Sequence, residues 1–276
     1  MGCTEADFAY LRAMVFEQSA NVLDVSRDYL FSQRLGHLMR AMDIESLEQL
    51  VAVLRAQGST MLSRSIAEAM TVNETSFFRD TGPFDLMQYE LLPALIERRK
   101  KCRRLRLWSA ACSSGQEAYS LAMLIREHFS HLNEWQIEIF GTDISVEMVQ
   151  RAQKGRYQRI EVNRGLPARH LLKYFIRVDD EWEVRPELKS MCLFQQRNLT
   201  HAQMLFEKYD GILLRNVMLY FSAETRCQVL QNVHNMLAPD GFLVLGSSEQ
   251  PGMPTHWQAV LSRKACYYKP LSPDMR

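Results

Sequence analysis

From residue 104 onward the chain alternates between two periodicities, and this alternation restricts the possible folds more than any other feature. The runs "LRLWSA", "QIEIFGTD", "YDGILLRN" and "GFLVLGS" read as strands, and the stretches 115–130, 145–154 and 223–237 between them read as helices. Parallel strands need a crossover, usually a helix, so strands alternating with helices of this length predict a doubly wound α/β sheet. The turn Pro239-Asp240-Gly241 precedes the fourth run, and "ACYYKP" reads as a last strand. Between 155 and 198 the alternation fails. There "LLKYFIRVDDEWEVRPELKSMCLFQQRNL" holds short strand-like pieces joined by tight polar turns, read as a helix plus a small antiparallel β insertion at about 157–198.

Residues 4–70 read as helices throughout. "TEADFAYLRAMVFEQS" spaces its apolar residues for one face, and "SRDYLFSQRLGHLMRAM" starts at an N-cap candidate, Ser26. "SLEQLVAVLRAQG" opens with Ser46 and Gln49 at capping-box spacing and stops at Gly58, and a fourth helix runs to about Met70. "TVNETSFFRDTGPF" then breaks the pattern and reads as a linker, anchored by Phe77 and Phe78. A helix follows over 84–100. The expected division is a helical domain at 1–70, a linker at 71–84 and an α/β domain at 85–276.

Bulk properties exclude several classes. Thirty-three basic and 32 acidic residues leave a formal charge of +1, so no global field favours nucleic acid or an anionic membrane. No apolar run is long enough for a membrane helix, and "MGCTEADFAY" lacks a leader's apolar region. Met1-Gly2-Cys3 suggests acylation, but Ala6 stands where that motif needs Ser or Thr. Six scattered cysteines show no metal-ligand spacing, which predicts free thiols and no metal. The basic run "ERRKKCRRLR" at 97–106 has two readings, a solvated helix end or an acidic-partner patch.

The stretch "RLRLWSAACSSGQEAYSLAMLI" carries the first chemical signal. It is not a P-loop, since no Lys follows Gly115, and it lacks the GxSxG of a nucleophile elbow. A Cys112 nucleophile would want a His partner that the sequence does not single out. What remains is a turn of small residues, Ala110 to Gly115, between a strand's carboxyl end and a helix N-terminus. Nucleotide-like ligands bind at such turns, although one glycine also suits a tight turn packed on a sheet.

The second strand ends in Asp143, which suits ribose hydroxyls and equally suits a helix N-cap. Asn216 falls where "LLRNVMLYF" leaves the sheet, with Tyr220 four residues on; capping and core packing are their other readings. A ligand turn with an acid on the next strand, and no pyrophosphate fingerprint, favours S-adenosylmethionine over a dinucleotide.

Six motifs occurring in order, "NETSFFRD", "WSAACSSGQEAYSLAM", "FGTDIS", "RNL" at 197–199, "LLRNVMLYF" and "GSSE" at 246–249, resemble those of the chemotaxis receptor methyltransferases, the CheR family. The resemblance covers nearly the whole chain, including the helical N-terminal domain and the insertion. It implies an S-adenosylmethionine-dependent methyltransferase sheet and transfer of a methyl group to chemoreceptor glutamates, leaving S-adenosyl-L-homocysteine. It places cofactor contacts on Asn73, Thr75, Arg79, Glu117, Asp143, Asn198, Leu199, Asn216 and Val217; the turn of small residues adds Ala110, and Arg79 and Tyr220 are expected as catalytic residues that orient the substrate carboxylate or the cofactor tail. Ala118 stands where the family usually has Pro, and Ser247 where His is common.

The implied partner is the helical cytoplasmic bundle of a chemoreceptor, which places the chain in the cytoplasm. Arg34 and Arg40 either meet that bundle's acidic face or are ordinary solvated helix charges. The short turn in "FIRVDDEWEVRP" lacks a glycine-rich extension, so dependence on a receptor tail peptide is not expected. Two other readings stay open: a methyltransferase of another acceptor, and a non-catalytic adenosyl-ligand-binding signalling module.

Overall fold

A computed structural model describes residues 3–201, 208–252 and 255–271. Contacts divide the chain into two units, Met1–Val72 with Leu219–Arg226, and Asn73–Met218 with Cys227–Arg276. Met1 and Gly2, where acylation was considered, lie outside the described residues. No helix among the described residues is long and apolar enough to cross a membrane.

The first unit holds α1 (Glu5–Ser19), a 3-10 turn (Val25–Arg27), α2 (Tyr29–Arg34), α3 (Gly36–Ala41), α4 (Leu47–Gln57) and α5 (Thr60–Ala69). Leu11, Val15, Phe31, Leu35, Leu50, Leu54 and Ile66 form its buried core. Thr4 and Asp7 close a capping box on α1 that sequence reading passed over, because Asp stands in place of Glu or Gln. The segment expected to start at Ser26 is capped at Asp24 instead and breaks into the 3-10 turn, α2 and α3. Ser46 caps α4 as expected, but the Gln49 side chain accepts from Glu45 N–H rather than from Ser46, so no capping box closes. Arg34 donates to the carbonyls of Met70 and Thr71 at 3.0 and 2.8 Å, which occupies a side chain considered for partner binding; Arg40 is exposed.

The second unit opens with α6 (Thr81–Leu86), a π-turn (Met87–Leu91) and α7 (Leu92–Arg99). Pro83 sits in the first turn of α6, where no N–H is missed, so the helix begins three residues before the expected 84. Pro93 has no N–H to continue a regular ladder, and one turn upstream the ladder widens, with Leu92 N–H bonding Met87 O.

Then follow β1 (Arg104–Ala110), α8 (Gln116–His128), β2 (Gln136–Asp143) and α9 (Val146–Lys154). Next come β3 (Arg156–Gln158), α10 (Arg159–Val162), α11 (Ala168–Tyr174), β4 (Phe175–Val178), β5 (Glu181–Val184), α12 (Pro186–Lys189) and β6 (Cys192–Gln196). The chain finishes with β7 (Tyr209–Leu214), α13 (Ala223–Met236), β8 (Leu237–Leu245), β9 (Trp257–Leu261) and β10 (Cys266–Pro270).

Among the described residues, seven strands form the main sheet in the order β6-β2-β1-β7-β8-β10-β9, and β3-β5-β4 form the small antiparallel sheet. The main sheet is parallel from β6 to β8, and β10 pairs antiparallel with both its neighbours. The doubly wound sheet and the antiparallel insertion both match the sequence reading, with one correction. Cys192–Gln196, assigned to the insertion, is β6, the edge strand beside β2. Its exposed Leu193 and polar Gln195 and Gln196 hid it among the insertion's short strands. The expected turn at 239–241 lies inside β8, where the pairing with β7 slips from Tyr209/Leu237 to Gly211/Phe242.

The basic run 97–106 is largely ion-paired. Arg99 bridges Asp210 and Asp240 at 2.7 and 2.6 Å, Arg103 reaches Glu134, and Arg104 and Arg106 share Glu138. The acidic-partner reading therefore loses most of its free charge.

Residues 73–80 belong to the second unit and pack into its core. Phe77 is fully buried, edge-on to Tyr157 of β3 (5.0 Å) and Phe175 of β4 (5.6 Å). Phe78 packs on Phe84 and His170, and its N–H donates to Ser120 Oγ at 3.0 Å. Both aromatics anchor the segment as expected. Phe77→Ala should cost about 3–5 kcal/mol, the usual range for truncating a buried Phe. Equilibrium urea unfolding measures it, and a loss under 1 kcal/mol would show that the segment is not held by this ring.

Candidate functional site

The strand order reverses between β1 and β7, and ligands of open α/β sheets bind at such a switch point, outside the carboxyl ends of the strands. Ala110 ends β1 and Asp143 ends β2. Asn198 follows β6, Asn216 follows β7, and Gly246–Glu249 follow β8. The fold thus brings residues as far apart as Ala110 and Glu249, 139 positions in sequence, to one edge of one sheet.

The turn after β1 has an uncommon backbone. Ala111, Ser113 and Gly115 all have positive φ (57°, 50° and 94°), in alternation with ordinary residues. Short side chains make this path tolerable, and Gly115 also has no room for a Cβ, which would lie 2.9 Å from Ala152 Cβ. Four contacts hold the turn. Cys112 N–H donates to Thr142 O, and Ser113 N–H donates to Asp143 Oδ2 at 2.8 Å. Tyr157 Oη donates to Ser114 O at 2.7 Å, and Ser113 Oγ donates to Asn73 O at 2.8 Å.

Asp143 is buried, and desolvation raises its pKa despite the N–H groups it accepts. It does not cap α9, because Ser145 does so by accepting from Met148 N–H. Its Oδ1 takes Ser145 N–H at 3.0 Å and Ile144 N–H also bonds the carboxylate, so three backbone donors leave about one of its four acceptor sites for a ligand. Cys112 is buried, and burial pushes its thiol well above the usual range, with Asp143 and Glu117 adding to the effect. A protonated, enclosed thiol is no nucleophile.

Glu117, in the first turn of α8, accepts from Ser109 Oγ at 2.7 Å and from Arg215 Nη1 at 2.9 Å. The Arg215 side chain is only 2% exposed. Its Nη2 donates to Arg79 O at 2.7 Å and to Asp80 Oδ2 at 2.9 Å, joining α8, the segment 73–80 and the end of β7. Arg79 is half-buried, and its own Nη1 donates to Glu74 O at 2.8 Å. Glu74 in turn pairs with Arg164.

Asn216 takes a positive φ of 59°. The N–H groups of Asn216, Val217 and Met218 all donate to the Glu249 carboxylate. Asn198 Oδ1 accepts from the backbone and hydroxyl of Thr200, folding "RNL" into an Asx turn, and Leu199 O accepts from Asn232. Thr75 is half-buried in the linker. Tyr220 belongs by its contacts to the helical unit, where its carbonyl accepts Val22 N–H at 2.9 Å.

Residues 73–266 match the family described as CheR methyltransferase, SAM binding domain. The chain is 38% identical to chemotaxis protein methyltransferase 1 of Pseudomonas aeruginosa, over 98% of this chain and 99% of that one. It is 37% identical to a chemotaxis protein methyltransferase of Pseudomonas putida, with the same coverage. A third, from Vibrio parahaemolyticus, is 35% identical over 91% of this chain and 92% of its own. This chain belongs to the CheR methyltransferase family. Its cofactor is S-adenosylmethionine, and it is an S-adenosylmethionine-dependent methyltransferase.

The CheR edge suits that cofactor chemically. Asp143 offers an acceptor for a ribose hydroxyl, Glu117 offers carboxylate charge for a cationic end, and small residues leave the turn's backbone approachable. Arg215 Nε is buried with no hydrogen-bond partner among the described residues. Sequence reasoning assigned no role to Arg215 or Glu249. Each did carry a signal, a charge closing an apolar strand and an acid just past one.

Two predictions follow from this geometry. Arg215→Ala leaves Glu117 without its ion partner, so it should destabilise by about 3–5 kcal/mol, as loss of one member of a buried pair does. It should also weaken S-adenosyl-L-homocysteine binding about tenfold or more by calorimetry, roughly 1.4 kcal/mol per decade. Unchanged values for both would remove Arg215 from the site. In thiol labelling at pH 8 read by mass spectrometry, exposed Cys102 and Cys227 should react, while Cys112 stays unlabelled until the protein unfolds. Modification of Cys112 in the native protein would contradict its enclosure.

Proposed function

We propose that this CheR chain transfers a methyl group from S-adenosylmethionine to glutamate carboxylates on the cytoplasmic helical bundle of chemoreceptors, forming glutamyl methyl esters in a cytoplasmic signalling array. The observation that carries this reading is the meeting of Asp143, Glu117, Arg215 and the Arg79 backbone at the strand ends, on a chain akin to chemotaxis methyltransferases along nearly its whole length. The cofactor contacts proposed are Asn73, Thr75, Arg79, Ala110, Glu117, Asp143, Asn198, Leu199, Asn216 and Val217. The division into a helical domain at 1–70, a cofactor-contacting linker at 71–84 and a methyltransferase domain from 85 belongs to the same proposal.

When bound, the cofactor supplies an already activated sulfonium methyl and leaves as a neutral thioether. The acceptor glutamate, with a reference pKa of about 4.3, is ionised at neutral pH, so the chain need hold no general base. Its work is positioning and exclusion of water from the carboxylate. Arg79 has N–H groups beyond the one used on Glu74 O, suited to a carboxylate, and Tyr220 offers a hydroxyl donor for the same task. Each transfer removes one negative charge from the receptor.

Incubation of the purified chain with methyl-labelled cofactor and chemoreceptor should yield label that mild base releases as methanol. Base-stable label would indicate N-methylation and another acceptor, and cofactor binding without transfer to any receptor would favour the non-catalytic module. Arg79→Ala should lower the transfer rate by about a hundredfold, the scale of a lost positioning contact. Transfer at the wild-type rate would end its assigned role. A receptor tail peptide should show no tight binding in calorimetry, which fits the short Asp179-Asp180 turn between β4 and β5.

A further inference from the structure

We infer that Glu249 is a positioning residue for cofactor binding, fixing the turn that presents Asn216 and Val217. The inference rests on the proposal that these two residues contact the cofactor. β7 ends at Leu214, and the chain then turns through Asn216 in the left-handed region. Three successive N–H groups, which a bent chain could not give to a neighbouring strand, converge on one carboxylate. Asn216 N donates to Glu249 Oε2 at 2.8 Å, and Val217 and Met218 N donate to Oε1 at 2.9 and 2.8 Å. A fourth donor, Gly246 N, reaches Oε2 at 2.8 Å.

Successive N–H groups wrapped around an anion form a nest, and here a side chain of the protein fills it. Glu249 is buried, and a carboxylate has about four acceptor sites, all taken here. No acceptor site is left for a ligand, so the residue acts through the turn and not by contact. The fit is tight. A Cβ on Gly246 would stand 2.6 Å from Glu249 Oε2 and 3.0 Å from both the backbone and side-chain nitrogens of Asn216. Glu249 stands 33 positions from Asn216 and, through it, the loop after β8 sets the geometry of the loop after β7.

The decisive substitution is Glu249→Gln, which keeps the shape but replaces one oxygen with an N–H donor facing backbone donors. In the full chain it should weaken S-adenosyl-L-homocysteine binding at least about tenfold by calorimetry. KM for S-adenosylmethionine should rise while KM for receptor holds. A purely structural role predicts a lower melting temperature with unchanged cofactor affinity in the folded fraction, and that result would overturn the inference. Gly246→Ala keeps the carboxylate and should give the same loss, which covers the case in which Glu249→Gln does not fold. Asn216→Ala separates the two layers. If it loses binding while Glu249→Gln and Gly246→Ala bind normally, positioning by Glu249 fails and the contact reading stands. If Asn216→Ala itself binds normally, the contact reading fails and the inference with it.

Discussion

Arg215 keeps its guanidinium almost wholly out of water, and a charge so placed is tolerable only if it is paired and hydrogen-bonded. Three groups from three parts of the chain meet it: the Glu117 carboxylate at the start of α8, the Arg79 carbonyl and the Asp80 carboxylate. None of the three is close to Arg215 in sequence, so the pairing exists only once the sheet and the segment 73–80 are both in place. The site depends on this constraint. It brings the linker's backbone to the strand ends and orients the acid that opens the helix after the ligand turn.

A second constraint of the same kind lies beside it. Arg215 and Asn216 are adjacent, yet their environments have opposite signs, with a buried cation held by acids followed by buried N–H groups held by an acid. Carboxylates at the site are therefore largely engaged with the protein's own donors. Glu249 is saturated, whereas Glu117 keeps acceptor capacity on both oxygens and Asp143, with three backbone donors, keeps about one site. That difference in remaining lone pairs separates residues able to meet a ligand from residues that only shape its surroundings.

Much of the fold was legible because a buried parallel strand and its crossover helix leave strong periodic traces. "LRLWSA" and "YDGILL" are near-continuous apolar runs, and Ser145 caps α9 at the place its sequence suggests. The failures have local causes. β6 is an edge strand with one solvated side, so its alternation resembled an insertion strand. The helix expected from Ser26 breaks at Leu35, the residue between α2 and α3, and periodicity does not register such a break. At the site, Asp143 and Asn216 were visible because they end strands. Arg215 and Glu249 were not, since their roles lie in bonds to residues 98 and 33 positions away.

The contact between Tyr157 and the Ser114 carbonyl also bears on how this chain relates to others built on the same plan. The small antiparallel sheet looks like an accessory that relatives could lengthen, shorten or exchange. Its first strand, however, carries the buried hydroxyl that satisfies a carbonyl of the ligand turn, and the same ring receives Phe77 edge-on. A chimera whose junction fell before residue 157 would bring in a foreign ring at both contacts, whereas one cut after Gln158 would leave them native. The modular boundary of the insertion therefore lies inside it, one strand later than its outline in the sequence.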